Sequence, residues 1–439
     1  MKIREVTGLL SILVLGLSVG AGCSSSSTPA NDGATDGTKS DTAADTAKDV
    51  ANDTATDMAN DVATDAPTDQ VTTVDAANGG ADAPGTTTQA LALTVIVTDQ
   101  IGGDGGLEVG PSDAGATEAG TDGGDDGASD GPAGITIDPN LVNPWGLAFN
   151  PSGPLWVADN HSGLSTVYSA TGEILPVVVT VPVPADGGMP PSAPTGLVFN
   201  GSATTFMGDK FIFSSEDGTI SGWQTGTAAA LRADNSPADA IYKGLALATS
   251  GGASHLFATD FHNGKIDVFD ESYAKVVPAG GFTDATIPAG FAPFGVQAIA
   301  DAIWVTYAQQ DDMKEDDMPG PGNGYVDVFD FDGHFVRRAI SQGALNSPWA
   351  LVVAPADFGA FSGALLVGNF GDGHINAYNQ ATGALLGGAL DTAGAPLKID
   401  GLWALVFGND STGAPHTRLY FTAGPKMESH GLLGYLDVR

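Results

Sequence analysis

The sequence predicts an all-β fold, a six-bladed β-propeller closed by a strand from near its N-terminus. Three observations predict it. From about residue 140, short apolar runs recur roughly every ten residues between Gly, Pro, Asn and Asp. One phrase is written repeatedly at a spacing of about fifty residues, a period that belongs to propeller blades. Helical periodicity is nearly absent.

The phrase opens as NPWGLAF and returns as APTGLVF, YKGLALA, APFGVQAI, SPWALVV and DGLWALVF. Its reference positions are Gly146, Gly196, Gly244, Gly295, Ala350 and, with a shift of one or two residues, Trp403. A second apolar run follows each copy (PLWVADN, KFIFSSED, HLFATDF, AIWVTYA, ALLVGNF, RLYFTAG), and then a third (STVYSATG, GTISGWQTG, GKIDVFDES, GYVDVFDFDG, GHINAYNQATG, GLLGYLDVR). Each copy makes a small sheet that cannot bury both faces alone, so copies stack around an axis. Six copies occupy 140–439. The last ends without a fourth strand, and the run LALTVIVTD at 91–99 is expected to supply it, pairing away the open edge.

Ahead of this domain, Lys2 and Arg4 precede the apolar run LLSILVLGLSVGAG, which Cys23 ends. The run is too short for a spanning helix and reads as a signal peptide over 1–22. Ala21-Gly22-Cys23 resembles the bacterial lipoprotein signal, in which the cysteine is lipidated. The plain alternative is a secretory signal with an incidental Cys23, because Gly20 stands where that pattern usually has Leu. The expected localisation is the cell envelope, anchored in the outer membrane or at the cell surface. As the single cysteine, Cys23 excludes an intrachain disulfide. In the stretch 23–90, Asp recurs every four residues from Asp41 to Asp69, stacking like charge at i,i+4. With few large apolar residues it reads as a disordered, self-repelling tether. A Gly/Asp-rich flexible insertion fills 102–134.

The chain of 439 residues carries 52 acidic and 16 basic residues, a formal charge of −36, and 22 of the carboxylates precede residue 135. That field argues against nucleic acid as a partner and favours cations. The segments LVNPWGLAF, PTGLVFN at 194–200, SSEDGTISGW at 214–223, APFGVQ at 292–297, LLVGNFGDGHINAY at 365–378 and LYFTAGP at 419–425 make 91–439 resemble a bacterial family of secreted, functionally uncharacterised proteins with an NHL-like six-bladed propeller. The resemblance implies the fold and no activity.

In such a ring the turns after the second strands face one channel mouth. The candidate ligand or cation site is therefore Asp159, Asn160, Glu216, Asp260, Tyr307 and Asn369, with calcium as the cofactor to consider at Asp159, Glu216, Asp260 and Asn369. The competing reading makes each of these a turn cap bonded to nearby amides. His161, His262, His374 and His430 follow the second strand in four copies. The acidic stretch 309–323 is a lid, a partner contact or a solvated loop. Trp145, Trp349 and Trp403 recur at repeat positions and read as packing. The function expected is a non-catalytic, monomeric module, held to a membrane by its lipid anchor and binding a protein, glycan or envelope component. The alternative is a calcium-dependent, lactonase-like hydrolase.

Overall fold

The computed structural model describes residues 87–100 and 134–439. The expected signal, Cys23, nearly all of the 23–90 tether and nearly all of the 102–134 insertion lie outside the described residues.

The described chain is all-β and of propeller type. Four consecutive repeats each fold into a four-stranded sheet whose strands pair in chain order. The first runs Pro144–Phe149, Leu155–Asp159, Leu164–Tyr168 and Ile174–Thr180. The fifth begins at Pro348–Val353 and ends at Leu385–Leu390. In the sixth, Leu402–Phe407, Leu419–Ala423 and Leu432–Val438 are followed in space by Gln89–Thr98, antiparallel to Leu432–Val438 with Leu93 opposite Leu436. Gln89 and Ala90 also pair parallel with Ala389 and Leu390, which joins the last two repeats into one nine-stranded sheet. Leu91 and Val97 bury completely in this strand, so it belongs to the core of the last repeat. Asp99, just beyond it, accepts from the amide of Gly431 and sits 3.0 Å from His430 Nδ1.

The first strand of every repeat touches the first strand of the next, and Leu402–Phe407 touches Pro144–Phe149. Residues from all six first strands line one narrow channel of about 60 Å³, among them Gly146, Gly196, Leu245, Gln297, Ala350 and Ala404. Glycine is needed where these strands meet. A Cβ on Gly146 would lie 2.5 Å from the Thr195 carbonyl oxygen, and one on Gly295 would lie 2.1 Å from that of Trp349.

Each first strand slips register against the second near this glycine position. The slip is a bulge, which takes an amide out of the ladder. A hydroxyl from the second strand receives it: Ser214 from Gly196, Thr259 from Gly244, Thr306 from Gly295 and Thr422 from Ala404. Thr259 in turn donates to the carbonyl of Phe294 in the next repeat at 2.8 Å. Thr422 donates to the carbonyl of Trp145 at 2.6 Å and so links the last repeat to the first. One hydroxyl thus satisfies a bulge and latches two sheets.

Candidate functional site

The turns after the second strands and the connections between repeats lie at one end of the channel. Two residues per repeat reach this mouth. One precedes the glycine position of the first strand: Trp145, Thr195, Lys243, Phe294, Trp349 and Trp403. The other stands one place after the second-strand residue that pairs with the start of the first strand, as Asn160, Glu216, Phe261, Ala308 and Phe370 do.

The aromatic members close the axis. Trp403 stacks between Trp145 and Phe370, with ring centroids 3.6 and 3.9 Å away. Trp349 meets both tryptophans edge-on, and Phe294 packs against Phe261 and Trp403. Trp145, Phe261, Phe294 and Trp403 are all buried. This is a plug, and the packing role expected for the three tryptophans is where they stand.

The polar members gather on the other side. Lys243 is 1% exposed. Its Nζ lies 2.5 Å from Glu216 Oε1 and 3.1 Å from Asp316 Oδ1, above the rings of Trp145 and Phe261 at 5.3 and 5.8 Å. Burial works against its charge, but Glu216 and Asp316 outweigh burial and hold the ammonium above the ordinary lysine range. Glu216 Oε2 accepts from Asn160 Nδ2 at 3.0 Å. Asn143 then donates to Asn160 Oδ1 and to Glu428 Oε2, and accepts from Trp403 Nε1 at 3.0 Å, tying network to plug.

Glu428 reaches the mouth on an unusual turn. Lys426, Met427 and Glu428 are three consecutive non-glycine residues in the left-handed region, with φ of 54, 56 and 63°. Each such residue costs about 1–2 kcal/mol, a cost that tends to be kept where geometry serves a site. Burial, reinforced by the charge of Glu216, pushes the Glu428 carboxyl up to about 7. Burial likewise raises Asp317 to about 6, against Ser347 and Lys243, which favour its charge.

Of the six residues expected at the mouth, the structure brings Asn160 and Glu216 together and leaves the others apart. The reason is strand alternation, which sends neighbouring side chains to opposite faces. Asp159, Asp260, Tyr307 and Asn369 pair with the starts of the first strands, opposite Pro144, Tyr242, Pro293 and Pro348, and the residue in that register in repeat 2 is Ser215. Glu216 is therefore one position further on, the counterpart of Asn160, and the alignment of Glu216 with Asp159 and Asp260 is corrected by one residue. Asp159 is fully buried, accepts from Thr166 Oγ1 at 2.8 Å, and is pushed well above the carboxylate range by burial. Asp260 caps its turn, accepting from the backbone and side chain of Asn263, 3.2 Å from Lys265 Nζ. Asn369 donates to Asp372 and to the Ala344 carbonyl. Tyr307 is buried in the apolar layer between repeats 3 and 4.

Of the residues considered for calcium, Asp159, Glu216, Asp260 and Asn369 each bond to different neighbours, and among the described residues no three His, Cys, Asp or Glu side chains lie together as metal ligands. The histidines also stand apart: His161 is 3.8 Å from Glu428, His374 is 3.5 Å from Asp372, His430 is beside Asp99, and the buried Nδ1 of His262 has no partner. The 309–323 loop does reach the mouth, through Asp316 on Lys243 and through the Gly320 amide on Asn346. Sequence reasoning missed Lys243. Its signal was present: the position before the glycine is aromatic in four copies and lysine in YKGLALA.

No protein-family model matches the chain. "Uncharacterized protein R648" of Acanthamoeba polyphaga mimivirus is 34% identical over 317 residues, which span 68% of this chain and 75% of the viral protein. "Uncharacterized protein L690" of the same virus is 31% identical over 320 residues, 68% of this chain and 81% of that one. Among solved structures, a catalytically inactive virginiamycin B lyase from Staphylococcus aureus with quinupristin gives a TM-score of 0.44 at 16% identity, covering 69% of this chain and 84% of that one. A glucose dehydrogenase also gives 0.44, at 14% identity over 67% of this chain and 96% of that one. The relatives at family level are viral, which corrects the expectation of a bacterial family. The chain belongs to the family of the mimivirus proteins R648 and L690.

Proposed function

We propose that this chain is a binding module, a closed six-bladed propeller that engages a protein, a glycan or an envelope component through its turn-bearing face, without catalysis. The ring is supported by the cyclic contact of the first strands and by the single channel that all of them line. The binding reading rests on one observation. At the mouth, the aromatic plug closes the axis and the charged groups above it satisfy one another around Lys243. The turns around the plug offer surface beyond it, and such a surface suits a large partner better than a small enclosed substrate. In this reading the chain is exported, anchored through Cys23 and held off the membrane by its 23–90 tether, which extends its reach.

The hydrolase alternative draws on a different observation, the two mouth carboxyls raised to about 7 and about 6, Glu428 and Asp317, since an acid–base catalyst titrates near its working pH.

Peptide and glycan arrays probed with the full chain test the proposal. Asp312→Lys on the turn-bearing face is expected to weaken the array signal, and Asp332→Lys on the far face to leave it intact. Equal loss with both variants contradicts the assignment of the face. Calcium-dependent turnover of a lactone that disappears in Glu428→Gln would replace this reading with the alternative.

A further inference from the structure

Outboard of the mouth, on the same face, an open groove of about 540 Å³ runs between the turn after the second strand of repeat 1 and the connection to repeat 2. Leu164, Val181, Pro182, Val183, Pro190 and Pro191 give it apolar walls. The groove is preformed. Asp234 accepts from the Ala185 amide at 2.9 Å, and Asp217 accepts from Ser192 Oγ and the Ala193 amide at 2.7 and 2.9 Å, so the connection is fixed at both ends. Pro191 lies so close to Gly163 that a Cβ there would come within 2.7 Å of it. Met189, on the rim, is 84% exposed.

The connecting segment carries charge of one sign. The segment 181–193, VPVPADGGMPPSA, has no Lys or Arg, and Asp186 on it is exposed. With Asp217 and Asp234 it rims an apolar trough in carboxylate. Four prolines in that segment offer no backbone N–H, so a partner strand cannot be zipped on by a regular ladder. Recognition there falls to apolar side chains in the trough and positive charge on its rim, with an exposed Met as an adaptable contact.

We propose that this groove docks a segment of a partner protein made of an apolar anchor flanked by lysine or arginine. The proposal rests on the binding reading above and supplies its partner's chemistry.

The test uses the full chain and two synthetic peptides, a Leu-Trp-Leu centre flanked by lysines and the same centre flanked by glutamates. Fluorescence anisotropy should show binding of the lysine peptide alone, weakening with added salt. Hydrogen exchange should show protection confined to 162–164 and 180–192. Val183→Lys should weaken binding at least about tenfold, and Asp186→Lys, at an exposed position that leaves folding untouched, should weaken it about threefold. Equal binding of both peptides, or full binding by both variants, overturns the proposal. Protection over 310–317 and 428 with Val183→Lys neutral overturns the groove and leaves the mouth-face reading standing. Protection over 330–334 on the far face overturns both.

Discussion

Lys243 and Trp403 occupy the same place in two copies of one phrase, yet they build opposite halves of the mouth. Around Trp403 the contacts are stacked rings with no solvent between them. Around Lys243 they are two carboxylates and an asparagine relay, resting on the edge of the same plug. The backbone treats the two alike: each sits within a register slip, and each is backed by a threonine latch, Thr259 or Thr422. The repeat therefore sets where a side chain goes, and the residue chosen there sets what the mouth can do.

The sharpest way to break the comparison is to empty the aromatic half. Trp403→Ala removes a 1% exposed ring and takes the indole donor from Asn143 Oδ1, and should cost about 3–5 kcal/mol in denaturant unfolding. Lys243→Met keeps an apolar stem on the plug but removes the cation that Glu216 and Asp316 share. Because Asp316 is 49% exposed, water can resolvate it, and the cost should be smaller, about 1–3 kcal/mol. A cost for Lys243→Met equal to that of Trp403→Ala would erase the distinction between the halves.

Acidity separates the halves further. The folded Glu428 carboxyl titrates near 7, above its ordinary 4.5, so the native state holds this proton more tightly than the unfolded chain. Its contribution is fully present below about 4.5 and is lost as pH rises toward 7. Glu428→Gln should flatten the stability profile across that window, measured as unfolding midpoints from pH 4.5 to 8. An unchanged slope would show that Glu428 is not buried at the mouth. The latch should not distinguish the halves at all. Thr259→Val and Thr422→Val each leave a buried amide and carbonyl without a partner, and each should cost about 1–2 kcal/mol.

Much of the architecture was legible because period and turn chemistry are local. The six phrases mark the six first strands, and the missing fourth strand of the last repeat pointed to residues 91–99, where the structure places Gln89–Thr98. The site was only half legible. A one-residue offset in reading SSED put Glu216 in register with Asp159, and alternation turns such an offset into the wrong face. Asn160 and Glu216 belong to the mouth, while Asp159 and Asp260 serve their own sheets. Partners such as Asn143, Asp316 and Glu428 come from turns far apart in sequence, and nothing in the spacing announces that they join one network with Asn160, Glu216 and Lys243. Lys243 itself was readable as the exception in an aromatic column.

The claim at the centre of this account is that Lys243 organises a charged half-mouth by pairing with Glu216. A double-mutant cycle of Lys243→Met and Glu216→Gln in urea unfolding measures that pairing directly. The account predicts a coupling of at least about 1 kcal/mol, with the double variant less destabilised than the sum of the single ones. Strict additivity would mean that the two side chains do not meet, and the charged half-mouth would not exist.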